Sequence, residues 1–228
     1  MDTSAQDRKY AQAPFVEPMP YGYIYLGWRI EPPARVPFVR ASRPRAETVE
    51  HCRDLVGELE NLTEVVATTV YEAVFLPPVA GSPRFDVMVL IQTTDPESIP
   101  AVEATEAYRQ LDADFAMPAR NIRRIGDVDA PPRSGPFLFN HFTAQDSQAA
   151  VRTFENIAGW FTFKAQARDS ALLQPIGESR YVFVNHVRLP CGPLRFLLRF
   201  AKPSFRKYVA AVLNANQIAN APVFCKPV

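Results

Sequence analysis

The sequence predicts an α+β fold made of two successive β-α-β-β-α-β units. Three observations predict it. Short alternating runs rich in β-branched and aromatic residues recur along the chain. Two helical periodicities interrupt them in each half. The same order of elements is met twice, on either side of a short polar, Pro-rich stretch at residues 127–135.

The first unit begins with a strand over residues 22–30, where Ile24, Leu26, Trp28 and Ile30 alternate with Tyr21, Tyr23, Tyr25 and Arg29. A Pro-rich crossover through Pro32, Pro33 and Pro37 leads to a helix over about 45–59, whose Val49, Cys52, Leu55, Val56 and Leu59 fall at helical spacing. A long strand over 65–75 ends at Pro77-Pro78, and Ala80-Gly81-Ser82-Pro83 turns the chain into a strand over 85–94. Asp95-Pro96 starts a helix that runs to about Leu111, because Asp accepts from the free amides of a first turn and Pro has no amide to waste there. A short strand over 119–125 closes the unit.

The second unit repeats the pattern. Residues 137–144 (FLFNHFTA) form a strand, and Asp146 caps a helix that carries Val151, Phe154, Ile157 and Phe161 on one face. Strands over 171–176 and 181–189 flank the turn Gly177-Glu178-Ser179. A long basic helix is expected over 193–216, kinked or divided at Pro203, and a last strand over 221–225. The domain boundaries follow: an arm at 1–20, a first unit at 21–126, a linker at 127–135 and a second unit at 136–228.

Bulk composition limits the function. The 228 residues are 47% hydrophobic, enough for a packed core, and 25 basic against 24 acidic residues leave a net charge of +1. That balance argues against nucleic acid as a partner. Three cysteines with no CxxC pair fit a reducing compartment better than a disulfide framework. Residues 1–20 lack a secretory pattern, and no apolar run has the length of a membrane span, so a cytoplasmic protein is expected. Phosphate-binding glycine motifs and a GxSxG elbow are absent.

Each unit is of the ferredoxin-like type, a four-stranded antiparallel sheet with both helices on one face. Two bare sheet faces can pack together or close into a barrel, with a pocket between them. In this order of elements, and in the strand FLFNHF before a capped helix and the strand YVFVNHVR, the chain resembles the dimeric α+β barrel superfamily in its two-repeat, single-chain form. That resemblance covers residues 21–226. It implies a small-molecule enzyme, such as a monooxygenase-like oxidoreductase acting on an apolar or aromatic substrate, with haem or with no cofactor. The alternative is a non-catalytic protein that binds an apolar ligand, haem or a membrane surface. A homodimer is compatible with either.

Two of the three histidines sit in matching pairs, Asn140-His141 and Asn185-His186. Neighbours on a strand point to opposite faces. In the later strand, Val182, Val184, His186 and Arg188 share one face, and Arg188 is ill suited to burial under helices. His186 and Arg188 are therefore expected on the pocket side, as a general base or axial ligand and as an anion stabiliser. Asn140 and His141 complete the candidate catalytic set, without a choice of which faces the pocket. No HxH, HxxxH or HExxH spacing offers a multi-ligand metal site, although one histidine suffices for haem. The resemblance also implies an Asn, Trp and His near the pocket, which Asn140, Trp160 and His141 or His186 supply. Tyr23, Tyr25 and Arg29 are candidates for a wall that stacks on a planar ligand. Arg195, Arg199, Lys202, Arg206 and Lys207 in the basic helix 193–216 suggest peripheral membrane contact.

Overall fold

A computed structural model describes residues 10–34, 37–131 and 133–228. The expected arm falls partly outside them, at residues 1–9. Its described part is tied down. Phe15–Val16 (β1) pairs with the end of a later strand, and Ala13 is buried in the second unit's core.

The first unit runs β2 (Gly22–Trp28), α1 (Arg43–Leu59), β3 (Val65–Phe75), β4 (Val87–Thr93), α2 (Ile99–Glu103), α3 (Glu106–Gln110) and β5 (Phe115–Ile125). The second runs β6 (Phe137–Thr143), α4 (Ser147–Lys164), β7 (Asp169–Pro175), β8 (Phe183–Arg188), a helical stretch over 193–215 and β9 (Ala219–Pro227). Each unit orders its strands with the first and third in the centre, and all pairings are antiparallel.

Four strands alone would leave two open edges per unit, each a row of unpaired amides and carbonyls. Here each unit closes the other. β3 pairs with β9 and β5 pairs with β7, so eight strands form one closed sheet within a single chain. Register shifts in β3 and in β5 supply the bends that closure needs. The fold is therefore the expected α+β barrel.

Alternation along the strands sorts side chains into three cores. Tyr23, Tyr25, Tyr71, Met88, Phe137 and Phe139 point inside the barrel. Ile24, Leu26, Trp28 and Val89 face outward beneath α1, α2 and α3. Leu138, Phe142, Phe183 and Val187 face outward beneath α4 and the 193–215 stretch.

Three elements differ from the sequence reading. The helix expected over 96–111 is a 3-10 turn at Pro96–Ser98 followed by α2 and α3, because extended Thr105 breaks it and its hydroxyl caps Tyr108. The strand expected at 181–189 begins at Phe183. Ahead of it Tyr181 turns into the barrel and Val182 packs outside, so the faces assigned to these two residues are exchanged. The basic helix is in pieces: α5 (Pro193–Leu197), a 3-10 turn at Leu198–Ala201, α6 (Pro203–Phe205), a π-helical turn at Arg206–Ala210 and α7 (Ala211–Ala215). Pro203 explains the first break, since Lys202 before it is extended.

Candidate functional site

The barrel interior holds His141 and His186, packed among the rings of Tyr25, Tyr71, Phe137 and Phe139, with Arg188 on the same face. His141 Nδ1 lies 3.0 Å from the Ala221 carbonyl and must donate to it. Nε2 then accepts from the Tyr25 hydroxyl at 3.1 Å. His186 Nε2 lies 3.3 Å from the Tyr71 hydroxyl, and its Nδ1 is buried without a partner. Phe139 stacks on His186 at 4.5 Å and on Tyr25 at 4.7 Å, so the two sheets meet through a run of parallel rings. Burial disfavours the imidazolium, which lowers His141 to about 4 and His186 to about 3, where Arg133 and Arg188 add to the effect. The same burial raises Tyr25 and Tyr71.

Arg188 shares the His186 face, as expected, but turns to the barrel end. There it lies over the Phe137 ring and donates to the Val128 and Ala130 carbonyls. Those carbonyls belong to the predicted linker, which is part of the core wall. Val128 is buried, Asp129 accepts from the Tyr23 hydroxyl at 3.2 Å, and Arg133 donates to the Asp129 carbonyl and to Gln92. Burial raises the Asp129 carboxyl. Arg29 lies elsewhere, on the surface beside Asp114 at 3.7 Å. Trp160 is buried in α4 against Phe161 and Phe205, and its indole N–H donates to the Ser204 hydroxyl at 3.1 Å.

The enclosed space lies on the other side of the second sheet. A cavity of about 50 Å³ is enclosed between the outward faces of β6, β8 and β9, the helix α4 and the 193–215 stretch. Its walls are apolar: Phe142, Phe154, Phe161, Phe196, Phe200 and Phe205 supply six rings. The polar groups on it are Asn140, Asn185, Asn220 and Ser170. Asn140 and Asn185 are directly opposed across β6 and β8, and each is only 8% exposed. The Asn220 amide donates to Asn140 Oδ1 at 3.1 Å. Asn185 Oδ1 is buried with no hydrogen-bond partner. A buried acceptor left unpaired costs about 1–3 kcal/mol, and this one belongs to a residue on the cavity wall.

The cavity thus gathers Asn140 from the predicted catalytic set, with Trp160 packed against its Phe205 wall. It does not gather His141, His186, Arg188, Tyr23, Tyr25 or Arg29. Strand alternation explains the division, since Asn140 and His141, like Asn185 and His186, must face apart. Asn185, noted only as the neighbour of His186, and Asn220 stayed outside the candidate set because a pocket was expected only between the sheets. The available signal was three asparagines on strand faces otherwise given over to packing against helices.

No protein-family model matches the chain, and no curated protein matches it. Solved structures do. An anthrone oxidase-like protein is similar with a TM-score of 0.60 at 13% identity over 94% of both chains. A Fusobacterium nucleatum protein provisionally assigned as a monooxygenase is similar with a TM-score of 0.53 at 9% identity, covering 93% of this chain and 94% of that one. A haem-binding protein from Thermus thermophilus is similar with a TM-score of 0.53 at 12% identity over 96% of both. At such identities the likeness establishes the fold, an α+β barrel, and nothing finer.

Haem does not fit the residues present. The described residues lining the outer cavity include no His, Cys, Met or Tyr to serve as an axial ligand. Both histidines are held in the barrel by a tyrosine hydroxyl and packed rings. Among the described residues no cluster of His, Cys, Asp or Glu could hold a metal ion.

Proposed function

We propose that this chain is an oxidoreductase of monooxygenase type that acts, without haem, on a small aromatic compound bearing a hydroxyl or keto group. The observation that carries the reading is the buried, unpartnered Asn185 Oδ1 in a cavity walled by phenylalanines. The rings hold a flat ligand and the asparagine fixes its orientation. An amide offers one acceptor and two donors, so it serves a phenol and the phenolate or enolate derived from it.

The described lining contains no titratable side chain. The first proton must therefore leave on the substrate's own acidity, helped by amide dipoles that favour the oxyanion. In the simplest balanced reaction a ring methylene becomes a carbonyl. Dioxygen gives one oxygen to the ring, and the other leaves as water with the two hydrogens. The substrate supplies all the electrons.

His141, His186 and Arg188 have a structural part in this reading, tying the two sheets and the barrel end together. Oxygen uptake by the purified protein, offered hydroxylated and keto tricyclic aromatics, tests the activity. Uptake equal to substrate consumed is the expected result. Tight binding with no uptake would leave the second reading, a non-catalytic carrier, which the lack of a placed acid or base favours.

A further inference from the structure

After Glu178 the sequence contains no acidic residue, yet it carries eight cations from Arg180 to Lys226. The preceding part holds the other 17 basic residues against all 24 acidic ones. The near-neutral chain is therefore strongly polarised, and the positive end includes the broken helical stretch over 193–215.

That stretch has two faces. Phe196, Phe200, Phe205, Val209 and Leu213 line the outer cavity. On the other side Leu194 is 56% exposed and Leu198, one helical turn on, is 71% exposed. In the same segment Arg195, Lys202, Arg206 and Lys207 are all exposed. Arg199 anchors the segment to the end of α4 by donating to the Ala165 carbonyl, and there Phe163 and Lys164 add a further exposed ring and cation.

Exposed aliphatic side chains interspersed with exposed cations along one segment suit an anionic lipid surface: apolar side chains enter the acyl boundary while Lys and Arg meet anionic headgroups. No helix among the described residues is long and apolar enough to cross a membrane, so the contact is peripheral. We propose that residues 193–207 dock the protein on an anionic lipid surface. The same segment roofs the cavity, so an apolar ligand dissolved in the bilayer reaches Asn185 without crossing water. This second clause rests on the cavity being the ligand site; the docking itself does not.

Co-sedimentation of the full chain with phosphatidylcholine vesicles, with and without phosphatidylserine, tests the docking. The expected result is binding to the phosphatidylserine vesicles alone, weakening as salt is raised. Each surface cation is worth about fivefold in partitioning. The L194E/L198E variant should bind at least tenfold more weakly, with its melting temperature and its affinity for a dissolved aromatic ligand unchanged. R195Q/K202Q, which keeps every apolar side chain, should lose at least fivefold. Absence of vesicle binding at low salt would overturn the proposal. So would vesicle binding that the leucine substitutions leave intact, which would mean that the vesicles are held by charge at some other surface.

Discussion

Single residues carry the sharpest consequences. Replacing Asn185 with Leu removes a buried acceptor that nothing satisfies, so the ligand-free protein should gain about 1 kcal/mol in denaturant unfolding while losing ligand affinity. A residue kept for packing would show the opposite sign. His141 and His186 set the acid limit. Both are held neutral, at about 4 and about 3, against about 6.5 in an unfolded chain. Below about pH 6.5 the unfolded chain takes up protons that the folded one refuses, so stability falls with pH until the folded values are reached. By pH 5 the loss is about 2 kcal/mol for each histidine. Unfolding free energies at pH 7 and pH 5 should differ accordingly, and His186→Phe should remove about half of the difference. A flat profile would mean that the histidines are more hydrated than their ring packing indicates. The sequence showed that His186 and Arg188 share a face and that Asn140 and His141 cannot. It did not show that the histidine face would be filled, because that depends on Tyr25 and Tyr71 arriving from the other unit.

At the scale of elements, the order of strands and long helices was legible because each has its own period and punctuation. Asp146 caps α4 as read, accepting from Gln148 and Ala149. Ser42, three residues ahead of the predicted start of α1, is the N-cap that the apolar period alone missed. β1 was illegible, since two residues have no period and pair only with the end of β5. The 193–215 stretch mattered most. Its Phe and Leu spacing read as an amphipathic helix broken at Pro203, and that break is present, but a 3-10 turn and a π-helical turn interrupt it further. Those irregular turns lack the continuous hydrogen-bond ladder of an α-helix, so the cavity roof is expected to open more readily than α4. The cavity of about 50 Å³ is only about a third of the size that admits a benzene ring in an engineered core, so a ring-sized ligand enters only when the roof moves. Amide hydrogen exchange should accordingly be faster over 198–210 than over α4, and slow when an aromatic ligand is bound. Equal protection of both helices would contradict a mobile roof.

Closure belongs to the whole molecule and lies beyond local sequence. The pairings of β3 with β9 and of β5 with β7 join residues far apart in the chain, and no single strand advertises them. The sequence reading left open whether the sheets meet within one chain, and they do, through β3 with β9 and β5 with β7. Residues 21–126 alone would keep their helices and expose the β3 and β5 edges. Such a fragment is expected to associate or aggregate at micromolar concentration, and a stable monomer on sedimentation would show that the edges need no partner. Closure also divides the labour of the second sheet. Its inner face, with the histidines, packs inside the barrel, and its outer face, with the asparagines, lines the cavity that we propose as the ligand site.

Calorimetric titration with a hydroxylated tricyclic aromatic ketone, on the wild-type chain and on the Asn185→Leu and His186→Phe variants, tests that division most directly. One-to-one binding that weakens at least tenfold in Asn185→Leu and is unchanged in His186→Phe is the predicted result. Affinity that survives Asn185→Leu and is lost in His186→Phe would put the ligand inside the barrel and contradict the account.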